Sequence, residues 1–508
     1  MSKRFNLWLL VLAAVLISRF IGMAFFPFAD TTEPRYAEIA RWMAETGDWI
    51  TPWFEPGVPF WGKPPLSFWA QAAAIKVLGL SEFSLRLPSW LATIAMVWLV
   101  WRLARQIWDV QTAKWSSLVF ATMALTYISA GAVMTDSFLA LGTTLALVSF
   151  CLVMSGERGP WQWLFFIGVV IGLLSKGPLA VVLIGIPIVS WLLLFRQEVG
   201  SLRKLPWWRG SVLTILLAGP WYVLAELKTP GFLDYFIVGE HIRRFLDPGW
   251  AGDLYGSAHD QPKGMIWVFW FWASFPWGVV ALMGLVVGWS QGRGLDVMRK
   301  AVSVSGPCFL LMSALAPMLF FTVAGNTLWT YVLPSLPFTA PLIGRWVAKL
   351  ESGWLFRGRA VMVGLVPLLL TVFVGVAATG WETLKTEKKL VLFYQQTRKA
   401  DDSPLLYLDD IPFSARFYSQ GAAREVTEEG VIDMQQQGDY RHLYLAVPRD
   451  WSARQVAELT GSATRVLENR RYQLLAIEVL QGSQQSVSVA SAVVRTCNMR
   501  FLLLWCLP

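Results

Sequence analysis

Runs of about 20 predominantly apolar residues recur from the N-terminus to about residue 380, and nothing else in this 508-residue sequence constrains its fold as strongly. A helix of that length matches the roughly 30 Å hydrocarbon thickness of a bilayer and satisfies its own backbone hydrogen bonds. The runs fall at about 5–28, 88–106, 115–132, 135–154, 161–174, 178–195, 211–227, 264–290, 303–324, 331–348 and 360–380. They predict an all-α polytopic membrane protein of about 11–13 transmembrane helices. Composition agrees, because only 15% of residues are charged and 55% are apolar. A disordered chain, a collagen-like chain and a disulfide-rich secreted scaffold are excluded on that balance.

The net charge of +9 is carried by Lys and Arg dispersed between apolar runs, not along one basic face. It reads as an orientation signal, and no nucleic-acid partner is expected. Lys3 and Arg4 precede a first run that is too long for a signal-peptide core and lacks a small-residue cleavage site, so an uncleaved span with an inside N-terminus is expected. Arg102, Arg105 and Lys114; Arg158; Arg196, Arg203, Lys204 and Arg209; Arg293, Arg299 and Lys300; and Lys349, Arg357 and Arg359 then occupy alternate loops. The opposite short loops 132–135 and 325–330 hold no Lys or Arg, and 175–177 holds only Lys176.

Two loops on the outer side are long, 29–87 and 228–263. The first contains a helical pattern at 34–46 and an apolar stretch at 66–80 that suits a helix lying in the interface. Past residue 380 the sequence turns polar, with alternating stretches at 405–408, 442–447 and 472–480. These predict a small external α/β or α+β domain at 381–480. The tail 481–508 is assigned no role. Cys151, Cys308, Cys497 and Cys506 lack CxxC spacing, so neither a disulfide nor a metal framework is expected.

The ionisable residues near span ends gather on the outer side: Asp30, Glu33, Arg35 and Lys63, Asp136, Lys176, and Glu240, His241, Arg243 and Arg244. Charges at such depth are costly unless paired or set in a wet cavity. Carboxylates beside cations suit group transfer on a phosphate-bearing amphiphile: one acid takes a proton from an acceptor hydroxyl while Lys and Arg neutralise the departing phosphate. No Walker or GxGxxG loop suggests a nucleotide donor.

At these residues a family resemblance emerges. DTTEPRYAEIARWMAETGDWITPWF, PFWGKPPLSFW and SEFSLRLPS resemble the first external loop of the bacterial branch of the protein mannosyltransferase superfamily, which includes the aminoarabinose transferase that modifies lipid A. VMTDSFLAL, GLLSKGPLAV, AGPWYVLAELKTPGF, GEHIRRF, Pro276-Trp277 and TLWTYVLPSLP continue it in the family's order to about residue 345. The resemblance implies a GT-C glycosyltransferase domain over 1–380 that takes a sugar from a polyprenyl (undecaprenyl) phosphate with inversion. It implies a bacterial inner membrane, a periplasmic active site and C-terminal domain, and a lipid or glycan acceptor such as lipid A. No cofactor is required on this reading, with a divalent metal as an option.

Carried over by position, the resemblance makes Glu33 or Asp30 the first-loop acid, since the family's Asp-Glu-x-Arg-Tyr is here Thr32-Glu33-Pro34-Arg35-Tyr36. Asp136 matches the second acid. Lys63, Tyr331 and Arg244 match donor-phosphate contacts, and Arg35, His241 and Lys176 complete the expected set. Gly62 replaces an acid and Thr327 a lysine, which bear on any metal site and on the sugar.

Alternatives accompany these assignments. Glu33 also suits a salt bridge to Arg35 or Arg41, Asp30 a helix cap or solvated acid, Lys63 a snorkelling cation, and Tyr331 an aromatic belt. His241, without a second His at ligand spacing, suits a phosphate or lipid-head contact better than a metal. Sugar stacking is better placed on Trp53, Trp61 or Trp69 than on the Trp-rich run 267–277, which suits lipid-facing packing. The rival function is an ion-coupled transporter or flippase, which calls for ionisable groups at the bilayer midplane on broken, repeated helices.

Overall fold

The computed structural model describes residues 2–479 apart from 248–249, 256–260, 293–295, 297–298, 300–301, 351–352 and 380–383. The tail expected at 481–508, with Cys497 and Cys506, lies outside the described residues. Cys151 and Cys308 are buried free thiols.

Each apolar run coils. The first forms α1 (Ser2–Gly22). In the first outer loop come α2 (Thr32–Thr46), a β1–β2 hairpin (Trp53–Glu55, Val58–Pro59) and α3 (Leu66–Leu78). The bundle continues through α4 (Glu82–Ile107), α5 (Val110–Thr122), α6 (Ala124–Ser129), α7 (Asp136–Met154), α8 (Pro160–Lys176), α9 (Pro178–Leu194) and α10 (Trp207–Lys228). Helices Met265–Ser274, Trp277–Ser290, Ser305–Thr322, Leu336–Ala348 and Gly353–Thr379 complete it. Five described helices are long and apolar enough to cross a membrane, and a bent pair makes a sixth.

Two expected single spans are broken. The run 115–132 divides where Met123 adopts an extended backbone between α5 and α6. The run 264–290 turns by 108° between its halves. There Pro276 removes an amide donor and forces Phe275 out of helical geometry, at φ −54° and ψ 140°. The Trp-rich half exposes Trp267 and Trp272 but buries Trp277.

One contact positions the site. Gly168 and Gly172 of α8, a GxxxG pair, lie against Gly142 and Ala146 of the antiparallel α7. A Cβ on Gly168 would stand 2.5 Å from the Ala146 amide nitrogen, so only glycine allows this approach. Because the helices run antiparallel, the start of α7 and the end of α8 reach the same level, and Asp136 meets Lys176.

Beside the first long loop sits a five-stranded sheet of order β4-β3-β5-β7-β6. Its strands are β3 (Leu405–Leu408), β4 (Arg424–Val426), β5 (His442–Pro448), β6 (Thr464–Glu468) and β7 (Tyr472–Glu478). β3 runs parallel to β4 and β5, while β7 is antiparallel to β5 and β6. This domain docks on the first loop. The rings of Phe28 and Phe417 lie 5.0 Å apart, and the Tyr418 hydroxyl accepts from the Phe28 amide while donating to Glu82.

Candidate active site

A cavity opens between the two long loops and the helix ends. Its polar wall is Lys63, Lys176, Glu240, His241, Arg244, Asn326 and Tyr331; its apolar wall includes Leu179, Val182, Phe245, Phe320 and Phe321. Lys63 comes from the first loop, Lys176 from the last turn of α8, and Glu240 and His241 from a π-helical turn, Asp234–Arg243, with Arg244 next in the chain. Tyr331 lies on a 3-10 turn, Trp329–Ser335. Of the residues expected at the donor phosphate, all but Arg35 line this cavity.

Its charges are closely paired. Glu240 accepts from Lys63 at 3.1 Å and from Arg244 at 2.9 Å. Arg244 also lies 3.1 Å from Asp253. Lys176 bonds Asp136 at 2.6 Å and places its ammonium 4.6 Å from the centre of the Tyr331 ring. Burial pushes the Glu240 carboxyl up, but Lys63 and Arg244 outweigh it and hold it below its ordinary range. It is therefore ionised at neutral pH.

The turn after α8 is fixed by Gly177, at φ +64°, a value that L side chains rarely adopt and against which the Phe236 ring is packed. His241 braces the same turn. Its Nδ1 lies 2.7 Å from the Phe236 carbonyl and its Nε2 3.0 Å from that of Lys176. Burial lowers its pKa. A neutral imidazole carries one N–H, so His241 donates to one of these carbonyls and turns its other nitrogen toward the second.

Glu33 is paired with neither Arg35 nor Arg41 but with Arg86, through contacts of 3.0 and 2.8 Å. Its Oε1 also accepts from the Val133 amide at 2.9 Å, in the short loop that leads into Asp136. Two of the three candidate acids, Glu33 and Asp136, are thereby tied to one segment. Arg41 is occupied by Glu38 and Glu45.

Asp30 and Arg35 are placed elsewhere. The Asp30 side chain is 2% exposed and accepts from the Ser414 amide at 2.8 Å, the Ser414 hydroxyl at 2.5 Å and Arg471. With these donors from Ser414 and Arg471 on its carboxylate, Asp30 anchors the C-terminal domain to the first loop. Arg35 donates to the Tyr255 carbonyl at 2.6 Å and lies among the rings of Tyr36, Phe60 and Phe413. It holds the loop and does not reach the cavity wall. Trp61 stacks near Tyr235 and donates to Thr229, and Trp53 and Trp69 donate to Asp48 and the Trp49 carbonyl. None of the three lines the cavity.

Several polar atoms of the cavity-lining residues are buried without a hydrogen-bond partner: Arg244 Nε and both polar side-chain atoms of Asn326. Each such atom costs about 1–3 kcal/mol, so the wall suits a polar ligand that supplies partners. Among the described residues no three His, Cys, Asp or Glu side chains gather. At Gly62 an added Cβ would meet the Phe60 ring at 3.0 Å and the Tyr255 ring at 3.4 Å, so a larger residue there would require those rings to shift by a few tenths of an ångström.

Sequence reasoning passed over Arg86, Asn326 and the role of Glu240. Arg86 had a signal, being a charge at the head of an apolar run that needs a counter-ion. Asn326 gave none beyond being a polar residue between two spans.

This architecture, a bundle of partly broken apolar helices with a polar cavity at the helix ends and a small mixed-sheet domain docked on the first long loop, is that of the GT-C fold. It matches the crystal structure of ArnT from Cupriavidus metallidurans bound to undecaprenyl phosphate with a TM-score of 0.74 at 17% identity, over 94% of this chain and 98% of that one. The archaeal oligosaccharyltransferase AglB from Archaeoglobus fulgidus matches with a TM-score of 0.51 at 10% identity, over 88% and 70%. Residues 7–236 match the family described as dolichyl-phosphate-mannose-protein mannosyltransferase. An undecaprenyl phosphate-alpha-4-amino-4-deoxy-L-arabinose arabinosyl transferase from Pseudomonas savastanoi pv. phaseolicola is 32% identical over 76% of this chain and 69% of that protein. The chain belongs to the family of these bacterial arabinosyl transferases. Relatives of the same description from Aeromonas hydrophila and Aeromonas salmonicida are 28% and 30% identical over 69% of this chain, which spans 62% of their length.

Proposed function

We propose that this multi-pass membrane protein transfers a sugar, with inversion, from a polyprenyl phosphate donor to an envelope acceptor on the periplasmic face of the inner membrane. Undecaprenyl phosphate is the carrier in the names of its relatives, and lipid A is the acceptor class the resemblance implies. One observation carries the reading: Lys63, Lys176 and Arg244, from three separate segments, converge on one cavity whose other wall is apolar. That combination suits a phosphate joined to a hydrocarbon tail.

On this reading Lys63 and Arg244 hold the donor phosphate, with Lys176 and Tyr331 behind them. Glu33, fixed by Arg86, and Asp136, fixed by Lys176, flank the acceptor. One of them takes the proton of an acceptor hydroxyl, the acceptor oxygen bonds to C1, and the C1–O bond breaks with its electron pair left on the phosphate. The departing charge grows beside cations already in place, which lowers the barrier without reorganisation.

The test is sugar transfer in proteoliposomes supplied with undecaprenyl phosphate-linked aminoarabinose and lipid A, read by mass spectrometry. Lys63→Ala is expected to lower transfer at least 100-fold. Solute flux with no transfer in the unmodified protein would replace this reading with a transporter. Asn326→Ala is expected to weaken binding of undecaprenyl phosphate about 3- to 10-fold, the worth of one hydrogen bond. Its thermal midpoint should not fall, because Asn326 has no protein partner to lose.

A further inference from the structure

A carboxylate, Glu240, stands on the wall of a cavity whose cations would receive a phosphate. The cations Lys63, Lys176 and Arg244 pair with Glu240, Asp136 and Asp253, so three positive charges face three negative ones. Asp136 has an assigned role, and neither it nor Asp253 lines the cavity. Glu240 is different. Its carboxylate bridges Lys63 and Arg244 and lies on the cavity wall with a side chain 8% exposed, at the point where those two cations would grip a phosphate.

The reaction explains why a carboxylate belongs there. The donor phosphate is a diester with one negative charge. When the C1–O bond breaks and its electron pair stays on phosphorus-bound oxygen, the product is a monoester carrying up to two negative charges at neutral pH. Bare cations therefore favour the product over the donor, and tight product binding makes release the slow step of turnover. A fixed anion between the two gripping cations repels both phosphates, and repels the doubly charged one more.

We infer that Glu240 is the residue that stops the cavity from retaining its phosphate product, a built-in counter-anion that sets the balance between donor and spent carrier. The inference rests on the phosphate cavity proposed above. A different role, orienting Lys63 and Arg244, predicts the opposite sign: loss of the carboxylate would then weaken binding.

The experiment uses the full chain in nanodiscs with undecaprenyl phosphate as the probe. Glu240→Gln is expected to bind it at least 10-fold more tightly than the unmodified protein, and to show one rapid round of transfer followed by a slow steady rate. Glu240→Asp, which keeps the charge, is expected to bind it within about threefold of the unmodified protein. Should the Gln variant fail to fold, Glu240→Ser, which admits water in place of the carboxylate, is expected to tighten binding likewise. Unchanged or weaker binding in a folded Gln or Ser variant overturns the inference. Lys63→Ala separates the two claims: if it binds undecaprenyl phosphate as well as the unmodified protein, the phosphate cavity itself is wrong, whatever Glu240 does.

Discussion

Arg86→Gln is expected to lower stability by about 3–5 kcal/mol, because it leaves a carboxylate without its counter-ion. The Arg86 guanidinium is buried and serves three segments at once. It pairs with Glu33, donates to the carbonyls of Met23 at 2.9 Å and Phe26 at 2.5 Å, and stacks 4.7 Å from the Phe28 ring. Thermal unfolding in detergent measures the loss. Adding Glu33→Gln should restore part of the stability, since no charge is then stranded. It should restore none of the transfer activity, because Glu33 is assigned the acid's role. Recovery of both would make Glu33 a structural partner only.

Arg471→Leu carries the second large effect. Arg471 neutralises two nearly inaccessible carboxylates, Asp30 from the first loop and Glu387, which lies 2.9 Å away and is itself held by Asn469 at 2.7 Å. Without the cation both acids are stranded, at a cost of about 3–5 kcal/mol. The sign of the pH response is fixed by Glu387. Burial already pushes its carboxyl up despite Arg471, and removing Arg471 pushes it further. A carboxyl whose folded pKa is raised stabilises below its unfolded value and loses that contribution as pH rises through the folded one. The Leu variant should therefore approach the unmodified protein below roughly pH 4 and fall away from it toward neutrality. A deficit independent of pH would mean that packing, not charge, joins the domain to the loop.

Much of this molecule was legible in its sequence because the signals were local. Length and hydropathy located the helices, and alternation located β3, β5 and β7 within two residues of their observed ends. The cations Lys63, Lys176 and Arg244 stood out because a charge beside an apolar run is conspicuous wherever it sits. What escaped was pairing. Glu33 and Arg86 are 53 positions apart, and Asp30 meets Arg471 across 441, distances over which no periodicity speaks. Asp30 looked like a candidate base because its loop position was visible and its donors were not. The breaks at Met123 and Pro276 were hidden for a related reason: an apolar run remains apolar whether it is straight or bent. The family resemblance supplied what spacing alone did not, a ranking of which charges matter.

The apolar wall of the cavity bears on how this protein must be assayed. Leu179 and Val182 on α9 face Phe320 and Phe321, and the flanking Leu319 is openly exposed on the bundle surface. On the function proposed above, a carrier lipid arriving past these residues would travel within the bilayer plane, so its effective concentration would be a mole fraction of total lipid, not a molarity. Diluting the membrane with inert lipid or detergent should slow the reaction at constant bulk concentration of donor. Rates reported per litre would then vary with the preparation while the protein stayed the same.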